Sequence, residues 1–280
     1  MPHALLLLCL VILRAFASSN PSTTLQPSAC VPPFTNFSFC NQSLPAAIRA
    51  TQLAQMLTID ELISQMVNYM PEIPRLGIQR NYTYGIEALH GVGADCPWPG
   101  PQGRCFTSFA TSSAMAASFN RTLWYLVGSA QGDEARWAYD KGYLPGLHLR
   151  GPQLNPQRDP RWGRNGNSPS EDAYLVQEYG TMFIRGGQGA LPNGTYPLGE
   201  VRKALHEVKH FAAYSVEDGR NERGDTWNIG LRDLNEYYFR PFRAAIQDAD
   251  VAALMCAYSA VNGTASCADK WMINQVDHNH

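Results

Sequence analysis

The segments Gly146-Leu147-His148-Leu149, Arg158-Asp159-Pro160-Arg161-Trp162-Gly163-Arg164 and Glu171-Asp172 read in order as a strand, a charged loop and the entry to a helix. The first is a short apolar alternation. The second places three arginines, an aspartate and a tryptophan within seven residues. The third opens a strong helical pattern. A strand that feeds a helix through such a loop is the repeating unit of an α/β protein. The loop then lies at the strand's C-terminal end, the edge where such proteins bind ligands. Arginine forks grip hydroxyls and carboxylates in fixed geometry, and a tryptophan face can stack on a sugar or on packed neighbours. Taken alone the run serves equally well as a structural Arg–Asp salt-bridge loop, so its surroundings decide.

The same alternation extends outward. The periodicity predicts a helix over Ala46 to Leu57. Thr58 and Glu61 then form a capping-box pattern that opens a second helix to about Val67. A strand is expected at Tyr82 to Leu89 and a helix at Leu123 to Tyr139. The quoted unit follows, with its strand at Gly146 to Leu149 and its helix from Glu171 to Gly186. Ala204 to Tyr214 reads as a strand or short helix, Leu231 to Gln247 as a helix, and Val251 to Tyr258 as an apolar strand. Alternating strands and helices argue for α/β with a parallel sheet, barrel or doubly wound. Neither a solenoid repeat nor a GxGxxG or P-loop pattern occurs, so nucleotide binding has no support.

The chain has 280 residues, 45% hydrophobic and 16% charged, which is a globular composition. A net charge of −2 gives no basic footprint for nucleic acid. Met1 to Ser19 has an apolar core, Leu5 to Ile12, followed by small residues, and reads as a secretory signal peptide. That core is too short for a permanent membrane anchor, and no later segment looks transmembrane. The expected protein is therefore secreted, with no membrane partner. Residues 20–44 read as an irregular lead-in, since Ser18 to Pro33 is rich in Ser, Thr and Pro. Once Cys9 leaves with the leader, Cys30, Cys40, Cys96, Cys105, Cys256 and Cys267 remain, an even number that suggests disulfides. Fifteen pairings are open; neighbouring pairs, each closing a loop of about ten residues, are favoured. N-x-S/T sequons stand at Asn36, Asn41, Asn81, Asn120, Asn193 and Asn262, which fits a glycosylated exported chain.

Each expected strand ends in residues of catalytic type: Glu87 and His90, the arginine run, Lys209-His210, and Tyr258. Singly, each has a plain structural reading. A lone histidine is more often a core residue, a lysine can snorkel, and a tyrosine can be core with its hydroxyl bonded. Converging on one sheet edge, a carboxylate, an arginine, a Lys-His pair and a tyrosine make a site for a polyhydroxylated ligand. A competing pattern is His206-Glu207-Val208-Lys209-His210, which matches H-E-x-x-H of zinc metalloproteases, with Glu217 or Glu222 as third ligand. It needs both histidines on one helical face, and the segment lacks a clear helical polar face. No metal site is expected.

Taken together, Gly85-Ile86-Glu87-Ala88-Leu89-His90-Gly91, Arg158 to Arg164 with Ser170-Glu171-Asp172, Lys209-His210-Phe211, and Met255-Cys256-Ala257-Tyr258 with Val261-Asn262-Gly263 resemble glycoside hydrolase family 3. The resemblance covers about Ala46 to Val276 and is nearest to secreted β-xylosidases, which share the Glu-Ala-Leu-His-Gly form and the paired cysteines matching Cys256 and Cys267. It implies a (β/α)8 TIM-barrel-like N-terminal domain over residues 45–280 and no cofactor. The partner it implies is a β-linked oligosaccharide, a xylo-oligosaccharide, as substrate. By position, Glu87, Arg164, Lys209 and His210 would hydrogen-bond the hydroxyls of the sugar at the cleavage point. Tyr258 would sit beside the nucleophile, and His90, Asp159 and Arg161 would be supports. The family retains configuration, through two carboxylates about 5 Å apart.

Glu87 also bears on specificity: many glucose-cleaving relatives have aspartate there, and the extra methylene would occupy the space of a hydroxymethyl group, favouring a pentose. β-Glucosidase or α-L-arabinofuranosidase activity is the alternative within the family, and a non-catalytic sugar-binding protein the alternative outside it. Two departures stand out. Asn167 replaces the family's usual glutamate three residues after Arg164, which removes an ion pair from the arginine loop. The chain also ends at Asp277-His278-Asn279-His280, where the family continues to a strand bearing the nucleophile in a Ser-Asp context. Neither Asp250 nor Asp269 holds that motif position. The expectation is an incomplete barrel with open sheet edges, poorly stable and inactive by itself.

Overall fold

The computed structural model describes residues 29–78, 82–93, 96, 99–197, 201–218 and 226–277. The expected leader, most of the Ser/Thr/Pro-rich lead-in, Cys9, Asn81, Glu222 and His278 to His280 lie outside these. Among the described residues a 3-10 turn at Ser38–Cys40 is followed by two short helices, α1 (Ala46–Met56) and α2 (Ile59–Ser64), which bury no residue. Strands β1 (Tyr69–Met70) and β2 (Tyr82–Glu87) follow, then helices α3 (Ser112–Ala116) and α4 (Arg121–Asp140). Strand β3 (His148–Gln153) leads to α5 (Ala173–Gln188), and β4 (Leu205–Phe211) to the short β5 (Thr226–Trp227). Helices α6 (Leu231–Asp233) and α7 (Arg240–Gln247) precede β6 (Ala253–Cys256). The small strands β7 (Ala260–Val261) and β8 (Thr264–Ala265) and helix α8 (Lys270–Asp277) complete the described chain.

The main sheet has the order β1-β2-β3-β4-β6, with β1 antiparallel to β2 and the other pairs parallel. Consecutive crossovers thus carry the chain stepwise across one sheet, as the strand–helix alternation predicts. The pleat sorts side chains by face. Ile86, Leu149 and Val208 are fully buried beneath the helices, in clusters with Ala135 and Ala138 of α4, Val176 and Ile184 of α5, and Phe242 of α7. Glu87, Arg150, Glu207 and Lys209 alternate to the other face. A register slip interrupts each parallel pair, near Tyr84, Arg150 and Lys209. Such bulges re-aim the side chains that follow them, here at the strand ends that carry the polar residues.

Helices α4 and α5 pack backbone to backbone. A Cβ on Gly128 would stand 2.1 Å from the Phe183 carbonyl oxygen, and one on Gly132 2.2 Å from that of Gly187. Glycine is required here for approach, not for its dihedral freedom.

Helix starts follow their caps. Asn120 Oδ1 accepts from Leu123 N at 3.0 Å, and Asp172 Oδ1 from Tyr174 N at 2.8 Å, so α5 begins two residues later than the expected Glu171. The capping box of Thr58 and Glu61 forms as expected, but α2 stops at Ser64, short of Val67. The helix expected over Leu231 to Gln247 is broken: Leu234–Tyr238 forms a π turn, with Phe239 N bonded to Leu234 O. Pro241 has no N–H to give to Tyr237, so a regular ladder cannot run through this point. Strand β3 extends past Leu149 through Gly151 and Pro152, residues that normally end a strand. All three neighbouring cysteine pairs are bonded: Cys30–Cys40, Cys96–Cys105 and Cys256–Cys267. Among the described residues no helix is long and apolar enough to cross a membrane.

Candidate functional site

The polar strand ends meet at the C-terminal edge of β2, β3, β4 and β6. Glu87 is the last residue of β2 and Lys209 lies near the end of β4. Lys209 Nζ donates to Glu87 Oε2 at 2.5 Å. The lysine side chain is 4% exposed while that of Glu87 is 49% exposed, so the pair points one buried cation at one carboxylate that faces outward. Burial pushes the Lys209 ammonium below the ordinary lysine range. Glu87 draws it back, and the nearby guanidinia of Arg150 and Arg164 push it down again. His210 adjoins it in sequence, and its peptide is clamped from both sides: His210 N donates to Asn155 Oδ1 at 2.7 Å, and Asn155 Nδ2 donates to His210 O at 2.9 Å.

The arginine run lies just beyond β3, as its sequence position implies. Arg164 Nε meets Glu217 Oε1 at 2.7 Å. The same carboxylate accepts from Trp162 Nε1 at 3.1 Å and from the Tyr214 hydroxyl at 2.9 Å. The Arg164 guanidinium stands over the Tyr214 ring, 5.3 Å from its centroid. Tyr214 in turn meets Trp162 and His210 edge to face, at centroid distances of 5.9 and 5.0 Å. Trp162 and Tyr214 are both buried. Arg164 and His210 are thereby joined through one ring, that of Tyr214.

Several expectations need correction. The side chains of Asp159 and Arg161 pair with each other, Arg161 Nη2 to Asp159 Oδ2 at 2.7 Å, with the Arg161 side chain 89% exposed, and Asp159 steadies the loop through its carbonyl instead, which accepts from Trp162 N at 3.1 Å and from Asn165 Nδ2 at 2.8 Å. Two residues apart in a tight turn, they reach each other before anything else, and this holds the Asp159 carboxyl down at about 2. The ion pair expected to be lost at Asn167 is replaced by Glu217, which reaches Arg164 from the loop after β4. The H-E-x-x-H segment is strand β4, not a helix. His206 is buried beneath α5, its Nδ1 2.8 Å from Gly151 O and its ring edge-on to Phe183, whereas His210 lies against Tyr214. The two imidazoles do not share a helical face, and Glu217 is committed to Arg164.

Tyr258 follows β6 at the same edge, 67% exposed. His90 is half-buried, and its carbonyl accepts from Phe109 N at 2.7 Å.

The sequence reading missed Asn155, the role of Glu217 as partner of Arg164, and a charged file beneath the site. Arg150 Nε lies 3.4 Å from Glu207 Oε2, and His148 Nε2 lies 3.9 Å from Glu207 Oε1. Burial lowers the His148 pKa, partly opposed by Glu207. The Arg150 guanidinium crosses Gly85, where any Cβ would stand 2.1 Å from Arg150 Cζ. The hint in the sequence was the alternation His148, Arg150 and Glu207, Lys209 on facing strands.

A family model described as "Glycosyl hydrolase family 3 N terminal domain" matches residues 83–279. The chain is 38% identical over 269 residues to the Probable beta-D-xylosidase 7 of Arabidopsis thaliana, covering 95% of this chain and 35% of the relative. It is 33% identical over 300 residues to Beta-xylosidase/alpha-L-arabinofuranosidase 2 of Medicago sativa subsp. varia, covering 98% of this chain and 37% of the relative. A solved family 3 exo-beta-xylosidase in complex with a xylobiose aziridine probe superposes with a TM-score of 0.77 at 35% identity, over 88% of this chain and 31% of that one. The chain therefore spans about a third of the length of the relatives it matches.

Proposed function

The chain belongs to glycoside hydrolase family 3, and from that membership we propose that it forms the sugar-holding N-terminal portion of a retaining exo-β-glycosidase of the β-xylosidase type. The observation that carries the reading is the pairing of Glu87 with Lys209 beside the Arg164–Tyr214–His210 contact, at one sheet edge. Vicinal hydroxyls need donors and acceptors held in fixed relation, and this edge supplies both. Glu87 keeps one oxygen on Lys209 and offers the other to a hydroxyl. Lys209 and Arg164 donate, and His210, its peptide locked by Asn155, offers its ring. The reading assigns these residues to binding and orientation; it assigns them no step of bond cleavage.

The substrate is a β-linked xylo-oligosaccharide, by analogy with relatives named as xylosidases and with the solved relative that holds a xylobiose probe. Two relatives are also named as α-L-arabinofuranosidases, which keeps a second pentoside substrate in view. The finer architecture is a (β/α)8 barrel over residues 45–280. Its support is the stepwise parallel order β2-β3-β4-β6, with helices on the apolar face and charged groups on the other. An exported chain, with residues 1–19 as leader, completes the proposal; the three disulfides support it, since such bonds persist in oxidising compartments.

The test is saturation-transfer NMR on the purified chain with xylobiose and cellobiose. Xylobiose binding that is lost in Arg164→Ala and in Lys209→Met, in chains that remain folded, supports the reading. Equal signals from both disaccharides favour the glucosidase alternative. No saccharide signal from a folded chain sinks the proposal. Release of aryl aglycone from a xyloside separates a hydrolase from a protein that only holds sugar.

A further inference from the structure

We propose that Asn193 is a site of N-linked glycosylation and that Asn262, although it also stands in an exposed sequon, is not. The inference rests on the reading of the chain as exported. Both asparagines are followed by Gly-Thr, so local sequence does not separate them. Their hydrogen bonds do.

Asn193 sits at the tip of a tight turn just past the end of α5. Leu191 N bonds Thr195 O and Gly194 N bonds Leu191 O, each at 2.8 Å, and Arg185 Nη1 ties the Pro192 carbonyl at 2.6 Å. Leu191, Pro192 and Asn193 are all exposed. Asn193 Oδ1 accepts from Thr195 N at 3.1 Å and from Thr195 Oγ1 at 2.8 Å. The amide oxygen is thus engaged within the sequon itself. The amide nitrogen makes no hydrogen bond among the described residues. Asn41 shares the hydroxyl contact, with Ser43 Oγ at 2.7 Å, but it directly follows the bridged Cys40, so Asn193 is the cleaner case.

Asn262 is held differently. It opens the β7–β8 hairpin, with φ of +50° at Asn262 and +89° at Gly263, the positive values that a two-residue Asn-Gly turn requires. Its amide forms a closed pair with one peptide residue: Ile229 N donates to Asn262 Oδ1 at 2.8 Å, and Asn262 Nδ2 donates to Ile229 O at 3.0 Å. In such a pair the donated hydrogen is the one on the same side as Oδ1. A glycosylated amide is secondary and trans, so the sugar's anomeric carbon takes the place of that same hydrogen. Modification would therefore remove the Ile229 bond and push a sugar into the chain beside β5.

The transfer is an ordinary substitution. Asn Nδ2 attacks the anomeric carbon of an oligosaccharide carried on a polyprenyl pyrophosphate, which the secretory route of a eukaryotic host supplies. The new C–N bond forms as the bond from that carbon to the pyrophosphate oxygen breaks. The lipid pyrophosphate leaves with the bonding pair, and Nδ2 gives up one proton. The two sites also differ in what a glycan would obstruct. Helix α5 runs for 16 residues from Ala173, just past its Asp172 cap beside the arginine loop, a length of roughly 24 Å, and Asn193 lies just beyond its far end. Asn262 shares the Cys256–Cys267 loop with Tyr258.

The experiment is site mapping by mass spectrometry. The chain is made in eukaryotic secretory cells behind its own first residues and, in parallel, behind a replacement leader. Peptides are released with a glycosidase that converts each modified asparagine to aspartate in heavy-oxygen water. A further form carries a long flexible tail after His280, so that nearness to the chain's end does not decide the result. The expected outcome is a predominantly occupied Asn193 and an unmodified Asn262 in every delivered form, with one glycan fewer in Asn193→Gln. An empty Asn193, or an occupied Asn262, in the chain delivered by the replacement leader overturns the proposal. Glycosylation behind the replacement leader alone overturns only the reading of residues 1–19.

Discussion

Arg164 and Glu217, 53 residues apart in sequence, form the ion pair on which the arginine loop closes, Nε to Oε1 at 2.7 Å. Glu217 accepts two further bonds, from Trp162 and from Tyr214, whose side chains are buried. Removing it leaves those donors unsatisfied and frees the Arg164 fork to rotate. Glu217→Ala is expected to destabilise the fold by about 1–3 kcal/mol, the usual cost of stranded buried donors, and to weaken sugar binding. Glu217→Gln keeps an acceptor and loses the charge, so it should recover stability but only part of the affinity. Urea denaturation and saccharide titration of both variants check this. Full affinity in Glu217→Ala would show that Arg164 needs no partner.

Glu87 reaches Lys209 across the sheet edge at 2.5 Å, with half its side chain facing outward. Shortening it by one methylene in Glu87→Asp withdraws the carboxylate from the mouth and opens room for a hydroxymethyl group. The expected result is a fall in the preference for xylosides over glucosides, by a factor of about ten, since one methylene discriminates by roughly 1–3 kcal/mol. Competition between xylobiose and cellobiose, and between aryl xyloside and aryl glucoside in any preparation that turns them over, measures it. An unchanged preference removes Glu87 as the determinant.

What could be read before the fold was known follows a physical division. Helix ends with a polar cap were legible to within two residues, because Thr58 with Glu61 writes its bond into nearby sequence. The positions of Glu87, Arg164 and Lys209 at one edge were legible from the strand–loop–helix order. The partner of Arg164 was not, since nothing local marks Glu217, and the ion pair is made by two loops that only the sheet brings together. Asp159 and Arg161 misled for the converse reason: they are adjacent to Arg164 in sequence, yet a two-residue turn pairs them with each other. The ends of β3 were obscured by Gly151 and Pro152, and the continuous helix expected to Gln247 by the apolar periodicity that overrides Pro241 until the backbone bonds are counted.

Close helix packing offers a test of the scaffold. Gly128 of α4 lies against the backbone of Phe183 in α5, with no flexible atom to yield. Gly128→Ala is expected to cost about 1–3 kcal/mol by forcing the helices apart. Gly166, in the arginine loop, has nothing within 4 Å of a built Cβ, and Gly166→Ala should leave the melting temperature unchanged. Equal melting temperatures for both variants would show that α4 and α5 do not meet as described.

The buried His206 sets an acid limit on stability. Burial is the chief cause that pushes its pKa from 6.5 down to about 4, partly opposed by the bond to Gly151 O and reinforced by His148. The folded form then binds fewer protons than the unfolded form between those two values. Stability must therefore fall as pH falls from about 6.5 to about 4, by about 3 kcal/mol at most. His148, also lowered by burial, acts in the same direction. The lowered carboxyls of Glu61 and Asp159 lose their contribution only as pH falls below the ordinary carboxylate range toward about 2, so they do not set this slope. Scanning calorimetry from pH 7 to pH 4 should show a falling melting temperature, and His206→Gln, which keeps polarity without titrating, should flatten the curve to the residue left by His148. A curve as steep in His206→Gln as in the parent would place the titrating group elsewhere.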